Sequence, residues 1–321
     1  MALAIRFHDQ LADRHVSSLR EEVLAGFAAT PKAIAPKFFY DRRGSELFEA
    51  ICLQPEYYPT RTEEAILRRA AGEIAELAGP GAELIEFGSG ASRKVRLLLE
   101  AMRPRRYLGI DISEDFLRAS THRLAADYPW LDVHALCADF CQDLALPRAF
   151  RCERPLAFFP GSSIGNFTPA QAQQFLARVY ALLPAGGGLL VGVDLVKERA
   201  TLERAYNDAA GVTAAFNLNL LERIRRELDS DIDPRAFEHR AWFNAAQSRI
   251  EMHLVSRQAQ EVRIEGRCFR FARGESLHSE NSYKYSLASF AALARSVGFD
   301  NQAHWVDPAR LFSVHYLRRP G

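Results

Sequence analysis

The chain has 321 residues, 48% of them hydrophobic and 25% charged, with 41 basic side chains against 40 acidic ones. That length and composition predict a sizeable buried core, arranged as one large or two modest domains, and exclude a disordered protein. A formal net charge of +1 argues against nucleic acid as the partner, because neutralising phosphates takes a basic surface.

At the N-terminus, "MALAIRFHDQLADRH" has too short an apolar run for a signal peptide, and no later stretch is apolar enough to span a bilayer. A soluble, cytoplasmic protein with no membrane partner is expected, with a monomer as the default state. The five cysteines, Cys52, Cys137, Cys141, Cys152 and Cys268, form an odd, scattered set, which reads as reduced thiols acting as small buried hydrophobes. Neither the Cys137/Cys141 pair nor the dispersed histidines have partners at ligand spacing, so no metal site is expected.

From about residue 61 the pattern alternates helix and strand. "PTRTEEAILRRAAGEIAELAG" opens with Thr60 and Glu63 in capping-box spacing, followed by apolar residues at helical intervals. "AELIEFGSG" is a short apolar strand running into a glycine turn, "SRKVRLLLEAM" a helix, "RYLGIDIS" a second strand and "EDFLRASTHRLAADYP" a second helix. "LDVHALCADF" and "RPLAFFPGSSIGNF" carry the third and fourth strands, "PAQAQQFLARVYALL" a helix, and "PAGGGLLVGVDLV" a turn and fifth strand. Strands separated by helices in this rhythm predict a parallel sheet covered on both faces.

After Val196 the rhythm stops. Residues 198–230 are predicted helical, with Gly211 as a break. In "SRIEMHLVS" the apolar Ile250, Met252 and Leu254 alternate with Arg249, Glu251 and His253, and "QEVRIEGRCF" alternates likewise, so the two are expected to pair antiparallel. The α/β rhythm returns at Ser286, an N-cap candidate for the helix "SLASFAALARSVGF", and "WVDPARLFSVHYLRR" supplies final strand material. The fold class is therefore α/β, mostly parallel, over residues 61–196 and 286–321. Residues 1–60 and 197–285 are expected to form a smaller α+β domain.

"LIEFGSGASRK" follows a strand and precedes a helix. There, Gly88 and Gly90 let the backbone approach a ligand, and the helix start offers N–H groups. Glu86 precedes the turn and Asp111 ends the next strand, where an acid can accept both hydroxyls of an adenosine ribose. Ser89 and Lys94 complete the candidate set on the turn. The third glycine of a dinucleotide fingerprint is missing, with Arg93 in its place. A pyrophosphate needs that close helix approach, whereas S-adenosylmethionine (SAM) has no phosphate. In "ADF", Asp139 can accept from an adenine amino group while Phe140 packs near the ring. SAM, leaving as S-adenosylhomocysteine, is the expected cofactor on a class I, Rossmann-like scaffold; a nicotinamide-dependent oxidoreductase and a non-catalytic SAM-binding protein are the competing readings.

Four further segments are dense in polar and aromatic groups: "FFYDRRGSELFEAI", "PEYYPTRTE", "FFPGSSIGNF" and "HSENSYKYS". Together with "RAYNDAAGVTAAFNLNLLERI" they resemble the histidine-specific SAM-dependent methyltransferase family, from about Pro31 to the C-terminus. The resemblance implies Nα-methylation of L-histidine to the trimethylated betaine hercynine, the first step of ergothioneine biosynthesis. It implies that Glu280 and Ser282 hold the substrate imidazole, the carboxylate accepting one ring N–H and the hydroxyl meeting the other nitrogen. Asn166 and Tyr206 are the implied partners of the substrate carboxylate. Tyr40, Tyr57 and Gly161 lie near the α-amino group, with Tyr57 the catalytic candidate that orients the amine, and Met252 lines the pocket near the ring. A relative methylating another amino acid or small amine with the same fold is the alternative. The amine must be neutral to attack, and a nearby sulfonium helps it lose its proton, so placement rather than a strong base is the expected contribution.

Overall fold

The computed structural model describes residues 5–10, 18–150 and 154–321. In chain order the strands are β1 (Arg6–Asp9), β2 (Lys32–Ala33), β3 (Glu83–Phe87), β4 (Arg106–Asp111), β5 (Asp132–Cys137), β6 (Pro155–Phe159), β7 (Gly188–Asp194), β8 (Phe237–Asn244), β9 (Arg249–Ser256), β10 (Gln260–Ile264), β11 (Arg267–Phe271), β12 (Ser276–Tyr283), β13 (Asp300–Val306) and β14 (Phe312–Arg318). The α-helices are α1 (Leu19–Ala28), α2 (Arg42–Cys52), α3 (Tyr58–Ala78), α4 (Val95–Met102), α5 (Glu114–Asp127), α6 (Pro169–Leu182), α7 (Arg199–Ala205), α8 (Val212–Glu227) and α9 (Leu287–Ser296). The chain divides into two units, the first holding β1, Pro59–Val196 and Lys284–Gly321, the second the segment from α1 to Tyr58 and Lys197–Tyr283.

The first unit is built on an eight-stranded sheet of order β1-β5-β4-β3-β6-β7-β14-β13. Strands β1, β5, β4, β3, β6 and β7 run parallel, and β14 runs antiparallel between β7 and β13. β3, β6 and β7 are buried along their whole length, as apolar strands covered on both faces must be. Strand order reverses between β3 and β6, and in such sheets the crevice at the carboxyl ends beside the reversal is where ligands bind.

Two details differ from the expectation. β1 pairs in parallel along β5, from Arg6 opposite His134 to Asp9 opposite Cys137, so this segment of residues 1–60 joins the first unit; it covers what would otherwise be an open sheet edge. Thr60 is not an N-cap, because α3 starts at Tyr58. Glu63 does not reach back along its own helix: its Oε2 accepts from Lys94 Nζ at 2.6 Å and from the Gly161 N–H at 2.8 Å. Ser286 is the cap expected of it, accepting from the Ser289 N–H at 3.0 Å.

In the second unit a four-stranded sheet has the order β2-β12-β9-β8, and β10 and β11 form a separate hairpin. The expected pairing of Gln260–Ile264 with Arg249–Ser256 does not occur. Glu265 and Gly266 both have positive φ, 48° and 75°, the geometry of a tight two-residue hairpin turn. That turn folds β10 back on β11, Gln260 opposite Phe271, while β8 and β12 take the two edges of β9. Gly211, at φ 70°, separates α7 from α8. Asp208 starts α8 by accepting from the N–H groups of Val212 (2.7 Å) and Thr213 (2.8 Å).

The register of β12 against β9 shifts between His278 and Glu280, leaving Ser279 as an extra residue. Leu277 lies opposite Leu254, His278 opposite His253, then Glu280 opposite Met252 and Ser282 opposite Ile250. Paired residues share a face, so the bulge puts Glu280 and Ser282 together on the face of Leu277 instead of the face of His278.

The cysteines fit their expected role only in part. Cys137 is buried, Cys52 and Cys141 are half-buried, Cys268 is exposed, and none of the four is in a disulfide; Cys152 lies outside the described residues.

Within the first unit Lys284 Nζ and Asp194 Oδ2 form an ion pair at 2.8 Å, with both side chains essentially inaccessible to water. Beside it Tyr285 N–H donates to Asp194 O and Val196 N–H to Tyr285 O. Removing one partner of a buried pair leaves a desolvated charge without its counter-ion, which costs about 3–5 kcal/mol. Lys284→Met is expected to lower unfolding stability by that amount in urea titrations, with Lys284→Met/Asp194→Asn regaining much of the loss; additive losses would show that the two charges do not depend on each other.

Candidate active site

In the first unit, β3 runs straight into the turn at Gly88–Gly90. Gly88 and Gly90 have φ of 67° and 48°, which a residue with a Cβ adopts only at a cost. The turn is pinned to β4: Gly88 and Ser89 N–H groups both donate to Ile110 O, at 2.8 and 3.1 Å. Gly90 N–H donates to Asp111 Oδ2 and Ser113 N–H to Asp111 Oδ1, each at 3.0 Å. Burial pushes the Asp111 carboxyl up, opposed by these backbone donors. A carboxylate has about four acceptor positions, so Asp111 is fixed in direction with capacity for further donors.

Glu86 is buried beneath the turn and accepts from Tyr107 OH at 2.6 Å. Burial pushes its carboxyl up to about 8, against the Tyr107 hydrogen bond and the Lys94 charge. Past the end of β5, Asp139 Oδ1 accepts from Cys141 N–H at 2.9 Å. The Phe140 ring packs edge-on against Phe159 at 5.6 Å and Phe87 at 6.2 Å. A Cβ on Gly88 would stand 3.7 Å from Phe140 Cε1, so ring and turn abut.

The fourth strand end adds Gly161 and Asn166. Gly161 and Ser162 are consecutive left-handed residues, at φ 81° and 58°, and a serine there is strained. The Gly161 N–H is held by Glu63, and Ser162 Oγ accepts from Asp194 N–H at 2.9 Å. A Cβ on Gly161 would lie 3.5 Å from Lys94 Nζ. Asn166 ends the short turn Ser163–Asn166 and is half-buried. Arg93, where a dinucleotide site has its third glycine, is ion-paired to Glu64 at 2.7 Å. An acid at a strand end, an aromatic ring beside a glycine turn and a lysine suit a ligand with ribose hydroxyls, a flat base and a carboxylate.

In the second unit Tyr40, Tyr57, Tyr206, Met252, Glu280 and Ser282 gather around one face of the four-stranded sheet. Tyr206 OH donates to Ser282 Oγ at 2.8 Å, and the Tyr57 and Tyr206 rings lie 6.2 Å apart, edge to face. Burial first, then the nearby Tyr206, Cys52, Glu280 and Tyr40, push the Tyr57 phenol well above its ordinary range. Tyr57 is therefore a neutral donor or acceptor at physiological pH, not a base. Tyr40 sits against Phe48 (5.7 Å) and Phe216 (5.8 Å), and Met252 faces Glu280 across the strand pair. The resemblance gives Tyr206 a carboxylate to meet; here its hydroxyl is engaged with Ser282.

Sequence reading missed several residues that hold this arrangement: Glu63 behind Lys94, Phe48 and Phe216 around Tyr40, and Asn217 with His239 behind Tyr206. The phenylalanines carry no signal beyond helical periodicity, and Glu63 mimics a cap. Among the described residues no group of His, Cys, Asp or Glu is arranged to hold a metal ion, and no helix is long and apolar enough to cross a membrane.

Residues 19–319 match the model of the family described as histidine-specific methyltransferase, SAM-dependent. The chain is 44% identical over 310 residues to a histidine N-alpha-methyltransferase of Mycolicibacterium smegmatis, covering 94% of this chain and 95% of that one. It is 41% identical to the protein of the same name from Mycobacterium tuberculosis, covering 92% and 94% respectively. It is also 29% identical to ergothioneine biosynthesis protein 1 of Neurospora crassa, covering 90% of this chain and 34% of that longer one. With the glycine turn, the strand-end acids and the strand order of its sheet, the chain is a class I methyltransferase and belongs to the histidine-specific, SAM-dependent methyltransferase family.

Proposed function

We propose that this enzyme methylates the α-amino nitrogen of L-histidine, up to Nα,Nα,Nα-trimethylhistidine, as the first step of ergothioneine biosynthesis. The observation that carries the reading is the bulge at Ser279, which turns Glu280 and Ser282 to one face beside Tyr206 and Met252. The first unit is the SAM-binding part and the second holds the substrate ring. The enzyme works in the cytoplasm, as a monomer, on a free amino acid.

SAM supplies an electrophilic methyl group and leaves as S-adenosylhomocysteine. Asp111 accepts from the ribose hydroxyls, Asp139 from the adenine amino group with Phe140 against its ring, and Lys94 meets the carboxylate of its amino-acid end. The Gly88–Ser89–Gly90 turn admits the ligand to the backbone, over Glu86. Glu280 accepts one imidazole N–H of the substrate and Ser282 meets the other ring nitrogen. Such a site rejects rings lacking those groups, by on the order of 10⁴ where polar partners are left unpaired. The resemblance assigns Asn166 and Tyr206 to the substrate carboxylate, which asks Tyr206 to exchange Ser282 Oγ for a substrate oxygen. The resemblance likewise assigns Gly161 and Tyr40 to the amine. Tyr57, kept protonated by its burial, orients the neutral amine directly or through water, so that its lone pair faces the methyl carbon. No side chain has to act as a strong base, and catalysis is mainly placement.

The first test is competition. Protein, SAM and an equimolar mixture of the twenty amino acids are incubated and the products weighed by mass spectrometry; histidine alone is expected to gain methyl groups, and methylation of another amino acid would overturn the pocket reading. Removing Glu280 as Glu280→Ala takes away a charged hydrogen-bond acceptor, and histidine KM is expected to rise about 10- to 100-fold with SAM affinity unchanged in calorimetry. An unaltered KM would refute the role of Glu280.

Glu86 gives a pH signature. Its carboxyl ordinarily titrates near 4.5 but here near about 8, so between those values the folded chain holds a proton that the unfolded chain has released. Stability then declines as pH rises through that window and levels off above about 8. In SAM-free protein, Glu86→Gln is expected to lose this slope, so that the difference between the wild-type and variant melting-temperature profiles changes with pH across the window; parallel profiles would place the proton elsewhere.

A further inference from the structure

On the face that carries Glu280 and Ser282, where His239 also lies opposite Leu254, one side chain closes a circuit of hydrogen bonds within the second unit. Asn217, on α8, is fully buried. Its Nδ2 donates to His253 O at 3.1 Å and meets His239 Nδ1 at 2.9 Å. Its Oδ1 lies 2.7 Å from Ser279 Oγ, whose proton is shared with Met252 O at 3.0 Å. Met252 and His253 are the residues of β9 opposite the bulge. The irregularity in the ladder is thus met by two side chains, Ser279 from the bulge itself and Asn217 from the helix.

The circuit continues through His239. Its Nε2 lies 2.9 Å from Tyr206 O, and burial holds the imidazole below its ordinary range, so the ring is neutral. A carbonyl can only accept, so Nε2 carries the proton and Nδ1 is the acceptor for Asn217 Nδ2. Tyr206 closes the loop by donating to Ser282 Oγ. Asn217 therefore faces two acceptors, His239 Nδ1 and His253 O, and one donor, Ser279 Oγ. A primary amide supplies two donors and an acceptor in one plane, and neither Asp nor Leu of the same size does.

We propose that Asn217 is a positioning residue for substrate-ring recognition: it locks the Ser279 bulge and so fixes the direction of Glu280. This rests on the reading in which Glu280 holds the imidazole, and it extends that reading to a residue that need not touch substrate. Glu280 owes its face to a one-residue slip, and the side chains that stabilise the slip set how well its carboxylate is aimed.

The test is a double-mutant cycle on the full-length enzyme, with Asn217→Leu, Ser279→Ala and Glu280→Ala, each alone and each of the first two combined with the third. Histidine KM, kcat and SAM affinity are measured for variants whose melting curves show a folded protein. Asn217→Leu is expected to raise histidine KM about tenfold while SAM affinity changes less than about twofold. In the Glu280→Ala background the same substitution is expected to add little, because the side chain it aims is gone. Ser279→Ala removes only a hydroxyl from the bulge and carries the same cycle should Asn217→Leu fail to fold; it is expected to show a smaller rise with the same non-additivity. Unchanged KM in both variants, or full additivity with Glu280→Ala, overturns the proposal while leaving the role of Glu280 intact. If Glu280→Ala itself leaves histidine KM unchanged, the ring reading falls and this proposal with it.

Discussion

A strand sends successive side chains to opposite faces, and β12 departs from that rule at one residue. Leu277 and His278 alternate as they should, against Leu254 and His253. Continued alternation would send Glu280 to the side of His278, where the rings of Trp242, His253 and His278 stack at 4.1 and 4.6 Å. That side already has its own carboxylate, Glu251, held by Arg249 at 2.6 Å. The extra residue Ser279 brings Glu280, and Ser282 with it, to the face of Met252 and Tyr206. The chemistry proposed for the second unit thus follows from one register shift, and helix α8 is the element that meets it. The same helix carries Phe216 against Tyr40 and Asn219, whose Nδ2 donates to Asp41 at 2.9 Å, so α8 orders both the tyrosine segment and the bulged strand.

The first unit uses a different device. Glu86 and Asp111 sit in the ladders of β3 and β4, but the glycine turn, Asp139, Phe140, Gly161 and Asn166 lie on loops past strand ends, and around Gly161 and Lys94 a buried charge does the fixing. Glu63 is fully buried and ties Lys94 to the Gly161 N–H; a Cβ on Gly192 would lie 2.0 Å from its Oε1, so β7 must carry a glycine there. Holding Ser162 in the left-handed region costs of order 1–3 kcal/mol, and its hydrogen bond to Asp194 N–H helps offset that strain. Asp194 is in turn neutralised by Lys284. These buried acids of the first unit thus divide by partner: Glu63 and Asp194 face ammonium groups, Asp111 faces backbone N–H groups, and Glu86, with a phenol for its hydrogen bond, is the one that burial pushes up to about 8.

The α/β rhythm from residue 61 and the glycine turn were legible because each rests on local pattern: apolar runs for buried strands, positive-φ glycines for a turn, Ser286 before a helix. What was not legible depended on partners distant in sequence. Thr60 and Glu63 have the spacing of a cap, yet Lys94 and Gly161, far along the chain, claim the carboxylate. Alternation in Gln260–Ile264 correctly marks a strand but says nothing of its neighbour, and the positive φ at Glu265 decided the pairing. The bulge is invisible in "HSENSYKYS", since no residue in that stretch is a glycine to mark it; alternation alone sets Glu280 and Ser282 on a common face, but neither it nor the resemblance says which face that is.

Placing a recognition acid on a strand has a consequence that a loop site would not have. In a loop, a small shift of backbone moves a carboxylate by a fraction of its reach. On β12 the permitted states are discrete, because a register either contains the extra residue or does not, and losing it reverses the face of Glu280 outright. If Glu280 reads the ring as proposed, specificity is guarded by whatever makes the bulged register the more stable. In this chain that means the buried amide of Asn217, the hydroxyl of Ser279 and the neutral ring of His239, none of which has to meet the substrate. On that reading, residues that need not touch the substrate set what the site recognises, and their burial leaves little tolerance for a change of donor into acceptor.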